Sequence, residues 1–141
     1  MSRVAHAIAI GLAVAGVSPA AAADYVALNA HRVNALEGQG TFEVIGRPGS
    51  GPQQYFCAAA DYARNVLNAP ANKRLSILRG RGPSQTQPGR RAVAFILDDG
   101  EGRRAGQGFN FSLSVTEPGF NVSVGMARNS FCYEDDPIWL Y

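Results

Sequence analysis

The sequence predicts an α+β fold, one helix on a mainly antiparallel sheet of about six strands in the order ββ-α-ββββ, with one disulfide. Three observations carry this prediction. One segment, residues 53–67, places its apolar residues at helical spacing. The segments around it alternate apolar with polar or small residues, and glycine- and proline-rich turns separate them. The chain holds two cysteines, Cys57 and Cys132, which allow a single intramolecular pairing.

The elements follow in order. Residues 25–36 and 41–47 read as a strand pair around Glu37-Gly38-Gln39-Gly40, with room for a bulge near His31. Val26, Leu28 and Ala30 alternate on the first arm, Phe42 and Val44 on the second. A helix begins at Pro52, because proline suits the first helical position and Ser50 or Gly51 can cap it. Phe56, Ala59, Ala60, Ala63 and Leu67 form its apolar stripe, with Asp61, Arg64 and Asn65 away from it. The alanines at 58, 59 and 60 keep this helix thin enough to lie close to a sheet, and Asn68 and Pro70 end it.

Residues 75–79 and 92–97 are the next strands. The second is apolar on both faces (Val93, Phe95 and Leu97 against Ala94 and Ile96) and belongs in the middle of the sheet. Phe109, Phe111, Leu113 and Val115 alternate with polar residues, as do Phe120, Val122, Val124 and Met126. Glu117-Pro118-Gly119 between them predicts a hairpin turn. The loops 80–90 and 98–108 enter and leave the central strand, so they lie at opposite ends of the sheet.

Residues 1–23 read as a cleavable secretory signal. Arg3 precedes an apolar run over 5–17, Ser18-Pro19 breaks it, and Ala21-Ala22-Ala23 supplies the small residues a signal peptidase requires. The run is too short to span a bilayer, so no transmembrane segment is expected once it is removed. Residues 24–141 are then one α+β domain in the periplasm or outside the cell. An oxidising compartment favours the Cys57–Cys132 bond. Loss of Arg3 takes the formal charge from +2 to +1, which gives no reason to expect nucleic acid or a membrane surface as a bulk partner.

Candidate sites are few. His31 is the one histidine beyond the signal, so any serine–histidine or cysteine–histidine chemistry would have to use it. Pro48-Gly49-Ser50-Gly51-Pro52 lacks the outer glycines of a serine elbow. Asp98-Asp99-Gly100-Glu101 resembles a calcium loop only superficially, lacking its alternate-position oxygen ligands and closing glutamate, and it and Glu134-Asp135-Asp136 read as solvated charge. No catalytic residue, metal site or cofactor is assigned. Arg79, Arg81, Arg90 and Arg91 crowd the ends of loop 80–90, where guanidinium groups and glycine N–H groups can hold an anion. Ile138, Trp139, Leu140 and Tyr141 form an apolar terminus suited either to packing on the body or to docking on a partner. Asn110 and Asn121 each open a formal glycosylation sequon inside an expected strand.

Tyr55-Phe56-Cys57-Ala58-Ala59-Ala60-Asp61-Tyr62-Ala63, followed by Arg81-Gly82-Pro83-Ser84 and a late single cysteine, resembles a set of small exported bacterial proteins of no assigned activity. That resemblance implies export and transfers no function. Ser50-Gly51 followed by Tyr55 is similar to the SGxxY motif of periplasmic lysozyme inhibitors, but the spacing is one residue longer and includes a foreign proline. No inhibitory residues are carried over. The expected function is a small exported binding or accessory protein whose partner is an envelope protein or a small anionic ligand. An inhibitor or a subunit of an envelope complex are its specific forms. The competing expectation is a small hydrolase using carboxylates, with or without His31.

Overall fold

A computed structural model describes residues 24–105 and 112–133, together with Gly11. Strands β1 (Tyr25–Val26), β2 (Arg32–Ala35) and β3 (Thr41–Ile45) precede helix α1 (Pro52–Asn65). Strands β4 (Arg74–Pro83), β5 (Arg91–Asp98) and β6 (Asn121–Ser123) follow it, and helix α2 (Val124–Phe131) comes last. The strands form one sheet in the spatial order β1-β2-β3-β5-β4-β6, with every neighbouring pair antiparallel. The α+β class, the six antiparallel strands and the Cys57–Cys132 bond agree with the sequence reading. Among the described residues, no helix is long and apolar enough to cross a membrane.

Register explains the core. Phe42 lies opposite Phe95 and Val44 opposite Val93, while Ile77 faces Phe95 from the other side, so one face of the sheet is a continuous apolar surface. Helix α1 packs on it, with Phe56 edge-on to Phe95 (centroids 5.3 Å apart) and to Phe120 (6.0 Å). Residues Tyr55 through Ala63 are all buried, because the sheet, helix α2 and the turn after β1 enclose α1 on three sides. The disulfide joins the second turn of α1 to the residue after α2, with Cα atoms 5.0 Å apart.

Three local expectations are corrected. The first arm is not one strand: the chain turns at Leu28-Asn29-Ala30, where Ala30 has φ 67°, and folds back so that β1 pairs with β2. Asp61 holds that turn. It is only 3% exposed, and its carboxylate accepts from the Tyr25 hydroxyl (2.8 Å), the Leu28 N–H (3.1 Å) and the Asn65 amide (2.9 Å). The residue assigned to the polar side of the helix is thus buried beneath the turn.

The hairpin over 109–126 is also absent in the expected form. Its turn exists, with Phe120 N–H donating to Glu117 C=O (3.2 Å) and Gly119 at φ 86°. Among the described residues its arms do not pair: 112–116 are not a strand, and residues 109–111 lie outside the described residues. Instead, Asn121, Val122 and Ser123 pair with Ser76, Leu75 and Arg74. Ser123 then caps a helix, its Oγ accepting from the Met126 N–H (3.2 Å). A serine at that position turned an apparent strand into strand plus helix. Val124 and Ala127, three apart, are buried in α2 while Met126 is exposed. Asn121, the acceptor of the second sequon, is fully buried, its side-chain oxygen accepting from Arg74 Nε (2.7 Å).

The central strand is covered on its second face as well, by a loop rather than a helix. Glu43, Ile45, Ala92 and Ala94 point away from α1 and are all buried. Residues 84–87 of the loop between β4 and β5 fold back over Glu43.

Candidate functional site

Four arginines meet at the end of the sheet where β3 leaves and α1 begins. Arg47, Arg81, Arg90 and Arg91 line an open cavity of about 570 Å³, together with Ser50 and Tyr55. Local chemistry places each one. Arg47-Pro48-Gly49-Ser50 is a tight turn, closed by Ser50 N–H to Arg47 C=O (3.0 Å) and by Arg47 N–H to Ser50 Oγ (2.9 Å), with Gly49 at φ 83°. The Arg81 guanidinium sits 5.1 Å over the Tyr55 ring, and its Nη2 donates to the Ser50 carbonyl (3.1 Å). Arg90 Nη2 donates to the Gly46 carbonyl (2.9 Å), and Gly46 N–H donates to the Arg91 carbonyl (2.8 Å). Gly46 is required here, since a Cβ would run into the Tyr55 hydroxyl. Among the described residues, none of the four arginines is in a salt bridge. The first turn of α1 adds the positive end of its dipole.

Of the arginines singled out in the sequence, Arg81, Arg90 and Arg91 come together and Arg79 does not. Strand β4 shifts register between Ile77 and Arg79 and again between Arg79 and Gly82. Residues two apart in a regular strand share a face, but the bulge sends Arg79 and Arg81 to opposite ones. Arg79 lies across from Ala94, which lies across from Glu43, and the small alanine lets Arg79 reach Glu43 Oε2 at 3.7 Å.

Glu43 is a fully buried carboxylate that accepts from Ser84 Oγ (2.6 Å), Thr86 Oγ1, Gln85 N–H (3.1 Å) and Thr86 N–H (2.9 Å). Burial acts to raise its pKa, but the two hydroxyls and two amide N–H groups outweigh burial and hold it below the ordinary carboxylate value. This cluster pins the loop that carries Arg90 into the cavity.

His31 lies beneath the turn. Its Nδ1 is 3.2 Å from the Asn29 carbonyl and its Nε2 is 2.7 Å from Ser50 Oγ. The ring is 4% exposed, and its pKa is lowered by burial first, against the raising effect of the Asn29 carbonyl, with the Arg47 guanidinium lowering it further. A second cavity of about 410 Å³ opens on the His31 and Gln54 side of Ser50.

Sequence reading missed Arg47 and the meeting of His31 with Ser50. Arg47 stands directly before a proline–glycine turn and a helix start, a setting that could have marked it. The histidine–serine pairing depends on the turn after β1, which the strand assignment had straightened out.

The acidic run at 98–101 is occupied locally: Asp98 accepts from Ser76 Oγ (2.6 Å) and Gly100 N–H (2.9 Å), and Asp99 pairs with Lys73 (2.8 Å). No group of three His, Cys, Asp or Glu residues suited to a metal ion is found among the described residues. Glu134, Asp135 and Asp136 and the terminal Ile138, Trp139, Leu140 and Tyr141 lie outside the described residues.

No protein-family model matches the chain, nor does any curated protein or solved structure. The functional reading therefore rests on the residues themselves.

Proposed function

We propose that this is a small exported binding protein whose arginine cavity takes an oxyanion, either a free anionic ligand or an anionic group displayed by an envelope partner. One observation carries the reading: Arg47, Arg81, Arg90 and Arg91 share one cavity with no salt-bridge partner among the described residues. Guanidinium groups make paired, charge-assisted bonds to phosphate, sulfate and carboxylate, and here two of them are already held by backbone carbonyls. Such pre-positioning lowers the ordering cost of binding. Export to the periplasm or beyond is supported by the signal-like residues 1–23 and by the disulfide.

Calorimetric titration of the oxidised mature protein with inorganic phosphate, sulfate and a small dicarboxylate tests this. Saturable binding that weakens with salt is expected. Arg90→Gln should weaken it about tenfold, the loss of one charge-assisted hydrogen bond. No binding of any of the three anions at low ionic strength would refute the reading.

A further inference from the structure

Resting on that reading of the cavity, we propose that Ser50 and His31 form a nucleophile–base pair at its edge, which hydrolyses esters of anionic carboxylic acids. The pairing follows from hydrogen-bond chemistry. The Asn29 carbonyl beside Nδ1 can only accept, so the ring proton sits on Nδ1. Nε2 then carries a lone pair, and the partner 2.7 Å away, Ser50 Oγ, must be the donor. A serine hydroxyl aimed at the lone pair of a neutral imidazole, itself oriented by a third group, is the arrangement that activates a serine nucleophile. Arg47 N–H to Ser50 Oγ fixes the hydroxyl's direction and leaves one oxygen lone pair uncommitted.

A plain staple between two loops would satisfy the same hydrogen bonds, but its position argues for more. Ser50 lines both cavities, so the residue that bonds His31 also borders the cavity where the arginines hold an anion. Arg81, bonded to the Ser50 carbonyl, can stabilise an oxyanion there.

The chemistry balances with water as the only co-reactant. Ser50 Oγ bonds to the ester carbonyl carbon as its proton passes to His31 Nε2. The carbon–alkoxy bond breaks and the alkoxide takes that proton, leaving as an alcohol. Water then gives a proton to Nε2 and its oxygen to the acyl carbon, the acyl–Oγ bond breaks, and Oγ recovers the proton. The net change is ester plus water to acid plus alcohol.

The test uses the oxidised mature protein, an alkyl fluorophosphonate as a trap, and two chromogenic esters, 4-nitrophenyl acetate and mono-4-nitrophenyl glutarate. Peptide mass mapping should place the phosphonyl group on Ser50, with fluoride lost. Hydrolysis should favour the anionic ester about tenfold, the effect of one charge-assisted contact. Ser50→Ala should abolish labelling and turnover, and His31→Gln should slow both by about 10²–10⁴-fold. Phosphate titration on the same samples, with circular dichroism, separates the failures. Phosphate binding without labelling of Ser50 or ester turnover would overturn the pair and leave the cavity reading standing. Loss of both would overturn both. Undiminished labelling in a folded His31→Gln protein would also overturn the assignment of His31 as the base.

Discussion

Replacing Glu43 tests how the cavity is built. Its carboxylate is fully buried and accepts four hydrogen bonds, two from hydroxyls and two from backbone N–H groups, with Arg79 alongside. Glu43→Ala leaves those donors facing a void, and removing one partner from a buried charged cluster costs about 3–5 kcal/mol. Glu43→Gln is the sharper probe. Oε1 takes three of the bonds and Oε2 takes Gln85 N–H with Arg79 nearby, so an amide can keep only one of those two positions as an acceptor. Its NH₂ would confront a donor, for a loss of about 1–3 kcal/mol. Urea unfolding gives the totals, and hydrogen exchange at the Gln85 and Thr86 amides locates them. Exchange there should accelerate about tenfold for each 1.4 kcal/mol lost locally. Phosphate affinity should fall as well, because the same loop holds Arg90 against the Gly46 carbonyl. If Glu43→Ala destabilises the protein by no more than about 0.5 kcal/mol, the usual range of a surface change, the cluster does not pin the loop and the reasoning fails.

Three further outcomes are expected. Replacing both Cys57 and Cys132 by alanine should cost about 4 kcal/mol, since their bond closes a long loop in the unfolded chain; an unchanged urea midpoint would contradict this. Acid should act on His31 and Glu43 in different windows. The lowered pKa of His31 means the fold disfavours its protonated form, so stability falls as pH drops below the ordinary histidine value of about 6.5 and levels off below the folded one. Arg47 and the Tyr55 ring face that histidine, and His31→Gln should flatten this part of the stability–pH curve. Glu43, held low, contributes stability that is complete above about pH 4.3 and is lost as pH falls through its folded pKa; Glu43→Gln should remove that acid limb. Asp61→Ala should cost about 3 kcal/mol by leaving the Leu28 N–H and the Tyr25 hydroxyl without their acceptor and the Arg128 guanidinium, 3.4 Å away, without its counter-charge. Loss of amide protection confined to residues 25–33 would locate that effect at the turn.

How much of this was legible before folding depends on the range of the signal. The helix start at Pro52 and the central strand at 92–97 are written in local periodicity and caps and stand as expected, while the helix ends at Asn65, slightly before the expected stop, with Asn68 in a left-handed conformation. The turn at Glu117-Pro118-Gly119 is equally local and is present, but which strand receives the chain after it is not a local matter. Leu75 and Ser76 on β4 took up Val122 and Asn121 because β4 offered an open edge, while Ser123 started a helix before a longer strand could form. Alternation over 120–126 could not distinguish these outcomes, since apolar residues at 124 and 127 satisfy a helix as well.

The arginines show the same limit at the level of function. Arg79 and Arg81 look equivalent in sequence, two residues apart at the start of one loop. A regular strand would have put both on one face, either both beside Glu43 or both at the cavity. The bulge in β4 separates them, so one neutralises a buried carboxylate that fastens the loop and the other stacks on Tyr55 at the cavity wall. The division makes the two substitutions distinguishable. Arg79→Gln should act chiefly on stability, through a Glu43 left without its cation, and Arg81→Gln chiefly on anion affinity, through a lost cavity charge. Equal effects of the two on phosphate binding would mean that the bulge does not separate their roles.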